Sequence, residues 1–141
     1  MAVAETPPPA YLVTLACSPE WLTAQAGAVE RQAVLAAIQE ACNHRAWTLL
    51  AAHVRTTHVH VVVEADRDAE FVMGALKSYA SRALNRLAPG GVWRRRWDRH
   101  GSARRLWTNW EVLAAIHYVV REQGEPMTVF EMAPLVTETT R

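Results

Sequence analysis

The sequence predicts an α+β domain, in which an antiparallel sheet carries helices on one face and is followed by a further C-terminal helix. Three observations predict this class. Runs rich in β-branched residues alternate with helical stretches, two of these runs are only three residues apart, and the last helical stretch has clear start and stop signals. The 141 residues, 50% hydrophobic and 21% charged, suffice for one domain with a substantial core.

The composition of each segment justifies the element assigned to it. YLVTLAC has the β-branched and aromatic content of a strand, and AVERQAVLAAIQEACNH places Leu35, Ile38 and Cys42 on one helical stripe. WTLLAAHV and HVHVVVEA are strands whose short RTT connection indicates a hairpin, and a second helix stops at APGG. In chain order the predicted elements are strand 11–17, helix 28–44, strands 47–54 and 58–65, helix 68–87, strand 103–107 and a final helix.

The final helix is the most clearly bounded element. Thr108 and Glu111 form a capping box at its start, and Gly124 with Pro126 supplies the stop. The six elements before it fit the split βαβ, ferredoxin-like arrangement, so this helix is an addition to that core. We expect a flexible Pro-rich tail over 1–10, a single domain over 11–130 and a C-terminal tail over 131–141.

Bulk features restrict the location of the protein. No apolar run approaches the roughly 20 residues that span a bilayer, and MAVAETPPPA lacks the features of a signal peptide. We therefore expect a cytoplasmic protein with no membrane partner. In that setting Cys17 and Cys42 are expected to be two reduced, buried thiols.

Positive charge is concentrated in one segment of an almost neutral chain. Between residues 77 and 105 the only acid is Asp98. Guanidinium groups pair with phosphates, and the indoles of Trp93, Trp97 and Trp107 can stack on unpaired bases, so the segment favours a nucleic-acid surface over a plain solvated face. Its basic residues are Lys77, Arg82, Arg86, Arg94, Arg95, Arg96, Arg99, Arg104 and Arg105.

Two histidines stand at the front of the valine-rich strand HVHVVVEA. Because side chains alternate along a strand, His58 and His60 project from one face, about 7 Å apart along the strand, and can converge on one cation. Val59, Val61 and Val63 take the face covered by helices, which leaves the histidines on the open face. Taken alone, histidines on an exposed sheet face are more often structural than functional.

Several metal chemistries are excluded by what surrounds the pair. A structural zinc site needs four ligands at Cys/His spacing, and Cys17 and Cys42 lie in separate elements far away. A histidine-triad hydrolase would carry a third alternating histidine, where this chain has Thr56 and Val62, and a second H-x-[ST] copy for a phosphoesterase is absent. The remaining pattern, histidine-hydrophobic-histidine in a central strand, occurs in metal-dependent nickases and transposases, which also require a nucleophile.

Of the three tyrosines, Tyr118 is the best candidate nucleophile. Tyr11 opens the first strand, and Tyr79 falls on the stripe that its helix is expected to bury. On a helical wheel Tyr118 points away from an apolar face, with Glu122 one turn further on. A tyrosine packed at a helix–sheet seam remains the structural alternative. The residues of that apolar face are Val112, Leu113, Ile116, Val119 and Val120.

These pieces together resemble a known family, the single-tyrosine HUH transposases, which include the insertion-sequence-200-like and the REP-associated tyrosine transposases. AAHVRTTHVHVVVEA is similar to the family's hairpin and HUH strand, and FVMGALKSYASRALN to the helix after it. WDRHGSARRLW is similar to the segment that enters the last core strand, and AIHYVVREQGEPM to the helix with the nucleophilic tyrosine. Apart from the Pro-rich start and the last dozen residues, the resemblance covers the whole domain.

The resemblance implies a role for each matching residue. His58 and His60 would be metal ligands, and Tyr118 would be the nucleophile. The family often has Gln four residues after the tyrosine, where this chain has Glu122. In a regular helix Gln123 would point onto the apolar stripe, so we expect Glu122 to be the third ligand, with Gln123 as the alternative if the helix end is distorted.

The function implied by the resemblance is metal-dependent cleavage and strand transfer of single-stranded DNA. The cofactor would be Mg²⁺ or Mn²⁺, the intermediate a covalent 5′-phosphotyrosine, and the substrate a DNA hairpin end. Family members are often dimers, and the sequence permits a homodimer without requiring one. The residues expected to track the DNA backbone are Lys77, Arg94, Arg95, Arg96, Arg99, Arg104 and Arg105.

A non-catalytic nucleic-acid-binding module is the alternative function. A four-stranded sheet with two helices behind it is also the RRM-like architecture of RNA-binding domains, and a domesticated, inactive transposase would have the same sequence features. RNA-binding domains of this kind use aromatic residues on the sheet face, whereas this face carries His58 and His60. The histidines therefore favour the enzyme.

Overall fold

One five-stranded antiparallel sheet organises the protein. The computed structural model describes residues 7–18, 27–87, 96–99 and 101–133. The strand order is β4-β1-β3-β2-β5, which confirms the α+β class and the ferredoxin-like order of the first four strands. The strands are β1 (Ala10–Ala16), β2 (Thr48–Val54), β3 (His58–Glu64), β4 (Ser102–Leu106) and β5 (Thr128–Glu131), and the helices within these ranges are α1 (Ala28–His44), α2 (Ala69–Leu87) and α3 (Asn109–Arg121).

The face under α1 and α2 holds the larger core. Val59, Val61 and Val63 point into it from β3 and are buried almost completely, as the alternation in the sequence predicts. Ile38 from α1 and Leu76 from α2 are fully buried against them. Burying apolar surface on this scale is the main stabilising term of the fold.

The opposite face is covered by α3, so the expectation of an open sheet face is wrong. Val62 and Ala51 are fully buried there, beneath Ala115 and Val119 of the helix. A helix with an apolar stripe stabilises a sheet by burying that stripe, and the sheet offers this face because α1 and α2 occupy the other. Leu113, expected on the stripe, is instead 59% exposed, because the buried arc of α3 is centred nearer Ala115.

Both ends of α3 carry the predicted signals. Thr108 Oγ1 accepts a hydrogen bond from the Glu111 amide, and the Glu111 carboxylate accepts one from the Trp107 amide. At the other end the helix stops at Arg121, and Gly124 adopts a left-handed φ of +80°, which glycine tolerates without a steric penalty. The chain then reverses into β5, an edge strand that the sequence pattern did not predict.

Two further expectations from composition concern the cysteines and membrane-spanning segments. Cys17 and Cys42 are free and buried, as predicted, and burial raises the pKa of their thiols to about 12 and about 11. No helix in the described ranges is long and apolar enough to cross a membrane.

Candidate active site

The two histidines of β3 lie side by side at one end of the sheet, on the face that α3 covers. Their rings stack with centroids 5.8 Å apart and planes 16° from parallel, His58 exposed and His60 buried. Each Nδ1 has a threonine hydroxyl as partner, Thr57 at 3.0 Å for His58 and Thr14 at 3.2 Å for His60. With the proton on Nδ1, each ring donates to its threonine, which leaves the Nε2 lone pairs for a cation.

Tyr118 lies directly over the buried histidine. The rings of Tyr118 and His60 meet edge to face, with centroids 5.8 Å apart, and Tyr118 is 40% exposed. The structure therefore brings together the histidine pair and the tyrosine, which are separated by some sixty residues of sequence. Tyr118 therefore contacts the buried histidine and remains partly open to solvent.

Tyr79 lies on the other side of the sheet. It projects from α2, where its hydroxyl contacts His44 Nδ1 at 3.3 Å and its ring packs 4.7 Å from the Arg82 guanidinium. Since α2 and α3 cover opposite faces, Tyr79 and the histidine pair do not meet.

The segment after α3 brings Gln123, and not Glu122, to the histidines. Glu122 caps the helix and its carboxylate pairs with His117 at 2.5 Å, on the exposed side. The Gln123 side chain lies close enough to His60 to raise its pKa, and its amide nitrogen donates to the Tyr118 carbonyl at 3.1 Å. A regular helix would have turned Gln123 onto the apolar stripe, but α3 ends at Arg121 and that geometry no longer applies.

The donor chemistry of this cluster suits a divalent cation only if an amide takes part. In the described part of the chain, no group of three or more His, Cys, Asp or Glu side chains could hold a metal ion. Two imidazoles and the Gln123 amide oxygen would supply three ligands and leave positions for substrate oxygens. His58, His60 and Gln123 are therefore the residues that fit Mg²⁺ or Mn²⁺.

A third histidine, His53, belongs to the cluster and was missed by the sequence analysis. It is fully buried in β2, directly opposite His60 in the strand ladder. Its Nδ1 lies 3.0 Å from the Val119 carbonyl of α3, and its Nε2 accepts from the Met127 amide at 2.9 Å. In the sequence, His53 is marked only by its position near the end of a strand expected to be buried. That position does not distinguish it from a histidine with a purely structural role.

Both buried histidines are held in the neutral form. Burial, reinforced by the charges of His58, His53 and Arg55, lowers the pKa of His60 to about 4, although the Gln123 side chain opposes the shift. Burial also lowers the pKa of His53, an effect that the Val119 carbonyl opposes and Arg55 reinforces. A neutral imidazole is the form that binds metal ions.

The basic residues proposed from sequence are distributed around the outer strand β4. Arg104 shares the face of the site and lines a groove of about 470 Å³ with Thr14 and Tyr118. Lys77 and Arg99 line a second groove of about 400 Å³, and Ser102 belongs to both.

Two other arginines of the basic segment are partly used in packing, and two are not described. Arg96 is half-buried and donates to the Ser81 carbonyl at 3.4 Å, and burial lowers its pKa. Arg105 is half-buried with its guanidinium 4.0 Å from the Trp107 ring. Arg94 and Arg95 lie outside the described residues.

The tryptophans of the same segment also differ from one another. Trp97 is half-buried, and its indole nitrogen donates to Ser81 Oγ at 2.9 Å. Trp107 and Trp110 are 70% and 81% exposed beside the start of α3. Trp93 lies outside the described residues. Among the described tryptophans, Trp107 and Trp110 are therefore the ones whose indoles are exposed enough to stack on a base.

A tyrosine with paired histidines and an amide, on the sheet face that α3 covers and beside a groove that contains Arg104, is suited to phosphoryl transfer on a nucleic acid. The model of the IS200-like transposases matches residues 24–109, more than half of the chain. The chain therefore belongs to the IS200-like transposase family and is a DNA-processing enzyme of DNA transposition. The matched range contains His53, His58 and His60 and ends before Tyr118 and Gln123.

Solved structures share the fold at low sequence identity. A REP-associated tyrosine transposase bound to a REP hairpin is 13% identical, with a TM-score of 0.61 over 86% of this chain and 70% of that one. A candidate transposase from Deinococcus radiodurans R1 is 16% identical, with a TM-score of 0.59 over 87% of this chain and 96% of that one. No curated protein matches the sequence.

Proposed function

We propose that this protein cleaves and rejoins single-stranded DNA through a covalent bond between Tyr118 and a 5′-phosphate. The observation that carries the proposal is the meeting of two distant parts of the chain: Tyr118 lies edge-on to His60, and the Gln123 side chain lies beside the same histidine.

The reaction is a direct substitution at phosphorus. The Tyr118 hydroxyl oxygen attacks, the bond from phosphorus to the 3′-oxygen breaks, and the phenol proton passes to water while the leaving oxygen gains one. His58, His60 and Gln123 would hold a divalent ion, which would supply electrostatic stabilisation of the charge on the phosphate oxygens. Because the phosphotyrosine conserves the energy of the broken bond, a free 3′-hydroxyl can reverse the step and join a new strand without a nucleotide cofactor.

The substrate reaches Tyr118 along the outer strand β4. The groove beside Tyr118 contains Arg104, and Ser102 connects it to the groove with Lys77 and Arg99. Arginine and lysine pair with phosphates without reading the bases, so this path would position a strand regardless of its sequence. A hairpin end is the proposed target, because the structurally similar REP-associated transposase is bound to a REP hairpin.

A non-catalytic RNA-recognition module is less well supported by the site. Such modules stack bases on aromatics of an open sheet face. Here α3 buries Val62 and Ala51 on that face, so the surface is not available for stacking.

The test is capture of the covalent adduct. The protein is incubated with Mn²⁺ and a labelled DNA hairpin that carries a single-stranded flank, and a denaturant-stable protein–DNA band is measured. We expect the band for wild type and for the matched control Tyr79→Phe, and none for Tyr118→Phe. Absence of the band in wild type, with binding of the same hairpin retained, would favour a domesticated, non-catalytic protein and overturn the proposal.

A further inference from the structure

His53 occupies an unusual position between the sheet and the segment that carries the reactive groups. It is fully buried, lies opposite His60 in the ladder, and each of its two ring nitrogens hydrogen bonds to a backbone group. One partner is the Val119 carbonyl, immediately after Tyr118, and the other is the Met127 amide, immediately before β5. The two bonds therefore bracket the segment that contains Gln123.

The chemistry of the two partners fixes the tautomer of His53. The Met127 backbone N–H can only donate, so Nε2 is the acceptor and carries no proton. The proton of the neutral ring is then on Nδ1, which donates to the Val119 carbonyl. Both ring nitrogens are thus satisfied within the protein, and His53 has no lone pair left for a metal ion.

The bond to Val119 replaces one that the helix cannot make itself. The last four carbonyls of an α-helix have no intrahelical partner, and Val119 is among them because α3 ends at Arg121. Tyr118 is also in this last turn, where its carbonyl accepts from the Glu122 amide and from the Gln123 side chain. His53 therefore caps the tyrosine helix from the sheet, although β3, α2 and β4 lie between the two in sequence.

Arg55 strengthens the same connection. Its Nη1 donates to the Glu125 carbonyl at 2.8 Å and lies 3.4 Å from His53 Nε2. The turn over 122–127 is consequently held to the sheet at two of its backbone groups, Glu125 and Met127.

We propose that His53 is a positioning residue, which fixes the Tyr118 end of α3 and the Gln123 turn against His60 through its two backbone hydrogen bonds. The inference rests on the proposed function, since it assigns the geometry of that site to a residue outside it. A displacement of about 1 Å in a reacting group can lower a rate by on the order of 100-fold. Loss of both bonds should accordingly slow the chemistry far more than it weakens DNA binding.

Three substitutions of His53 test its hydrogen bonds to Val119 and Met127 separately. In His53→Asn the amide nitrogen can occupy the place of Nδ1 and keep the bond to Val119. In His53→Gln the longer side chain can keep an acceptor for the Met127 amide. His53→Leu keeps neither. For each variant the single-turnover rate of adduct formation with Mn²⁺ and the affinity for the same labelled hairpin without metal are measured.

We expect His53→Leu to form the adduct about 100-fold more slowly, with hairpin affinity within about twofold of wild type. His53→Asn and His53→Gln should recover part of the rate, and this partial recovery still tests the idea if His53→Leu does not fold. A folded His53→Leu with the wild-type rate would refute the positioning role. An equal loss of rate and affinity in all three variants would refute it as well.

Amide hydrogen exchange of the DNA-free protein provides a readout that does not depend on activity. His53→Leu should speed exchange over residues 119–127 and leave β1 and β3 unchanged. Unchanged exchange in that segment would overturn the inference even in an active enzyme. If wild type forms no adduct but the exchange result holds, the proposed function fails while the structural role of His53 stands.

Discussion

The two faces of the sheet differ in composition: one is apolar, and the other adds a cluster of polar side chains to a smaller apolar core. Under α1 and α2 the contacts are apolar, and Val59, Val61 and Val63 contribute to them from one side of β3. On the other side of the same strand, His58 and His60 meet directional partners, the threonine hydroxyls and Gln123. The difference teaches that one strand can serve stability and chemistry at once, because alternation separates the two sets of side chains.

The largest expected difference between the two faces is in the effects of substituting His60 and Val61, which are neighbours in β3. His60→Ala should reduce adduct formation below detection while the protein stays folded, because it removes a proposed metal ligand and the ring under Tyr118. Val61→Ala should lower the free energy of unfolding by on the order of 2 kcal/mol, because it opens a cavity in the core, while the folded fraction remains active. Adduct capture and urea denaturation of both variants check this. Comparable loss of activity per folded molecule in Val61→Ala would break the contrast.

The pH dependence of the free energy of unfolding should reflect the buried His60 on the face that α3 covers. His60 has a pKa of about 4 when folded and an ordinary value of 6.5 when unfolded, so the unfolded chain binds the proton more readily. The free energy of unfolding should therefore be highest above about pH 6.5 and fall as the pH drops toward 4. At about 1.4 kcal/mol per pKa unit, the loss approaches roughly 3 kcal/mol. Urea denaturation at several pH values measures it, and His60→Asn should show a shallower dependence.

The third ligand should be identified by comparing adjacent residues. Gln123→Ala should raise the Mn²⁺ concentration for half-saturation of the DNA-free protein by about tenfold or more. Removing even a residue that supports a metal ligand typically lowers metal affinity by about 10- to 100-fold. Glu122→Ala should change it by less than about twofold, because that carboxylate pairs with His117. Electron paramagnetic resonance of free Mn²⁺ gives both values. The reverse ranking would restore Glu122 as the ligand.

The smallest expected effect is on DNA affinity. Arg104→Ala should weaken hairpin binding a few-fold and lower the slope of log affinity against log salt by about 0.7, the value for one single-strand phosphate contact. Arg82→Ala, whose side chain packs on Tyr79 behind the sheet, should leave both unchanged. Fluorescence anisotropy at several salt concentrations measures the slopes. Equal slopes for the two variants would place the DNA away from the groove beside Tyr118.

Much of the fold could be predicted because its signals are local. The helix over 28–44 matches α1 at both ends, and the capping box of Thr108 and Glu111 starts α3 as expected. Strand β5 was missed because four residues give too short a pattern, and its pairing with β2 depends on the turn before it. Leu113 was misplaced because a wheel describes the helix alone, whereas the sheet decides which arc of it is buried.

The sequence by itself determined the chemistry available: two histidines on one face of a strand, a tyrosine off the main stripe of its helix, and arginines in one segment. Only the tertiary structure decided which groups meet. Gln123 reaches His60 because α3 stops two residues earlier, and His53 reaches Val119 and Met127 from 66 and 74 residues away. Hydrogen bonds between distant residues leave no periodic trace in a sequence, because each depends on where two independent segments end after packing.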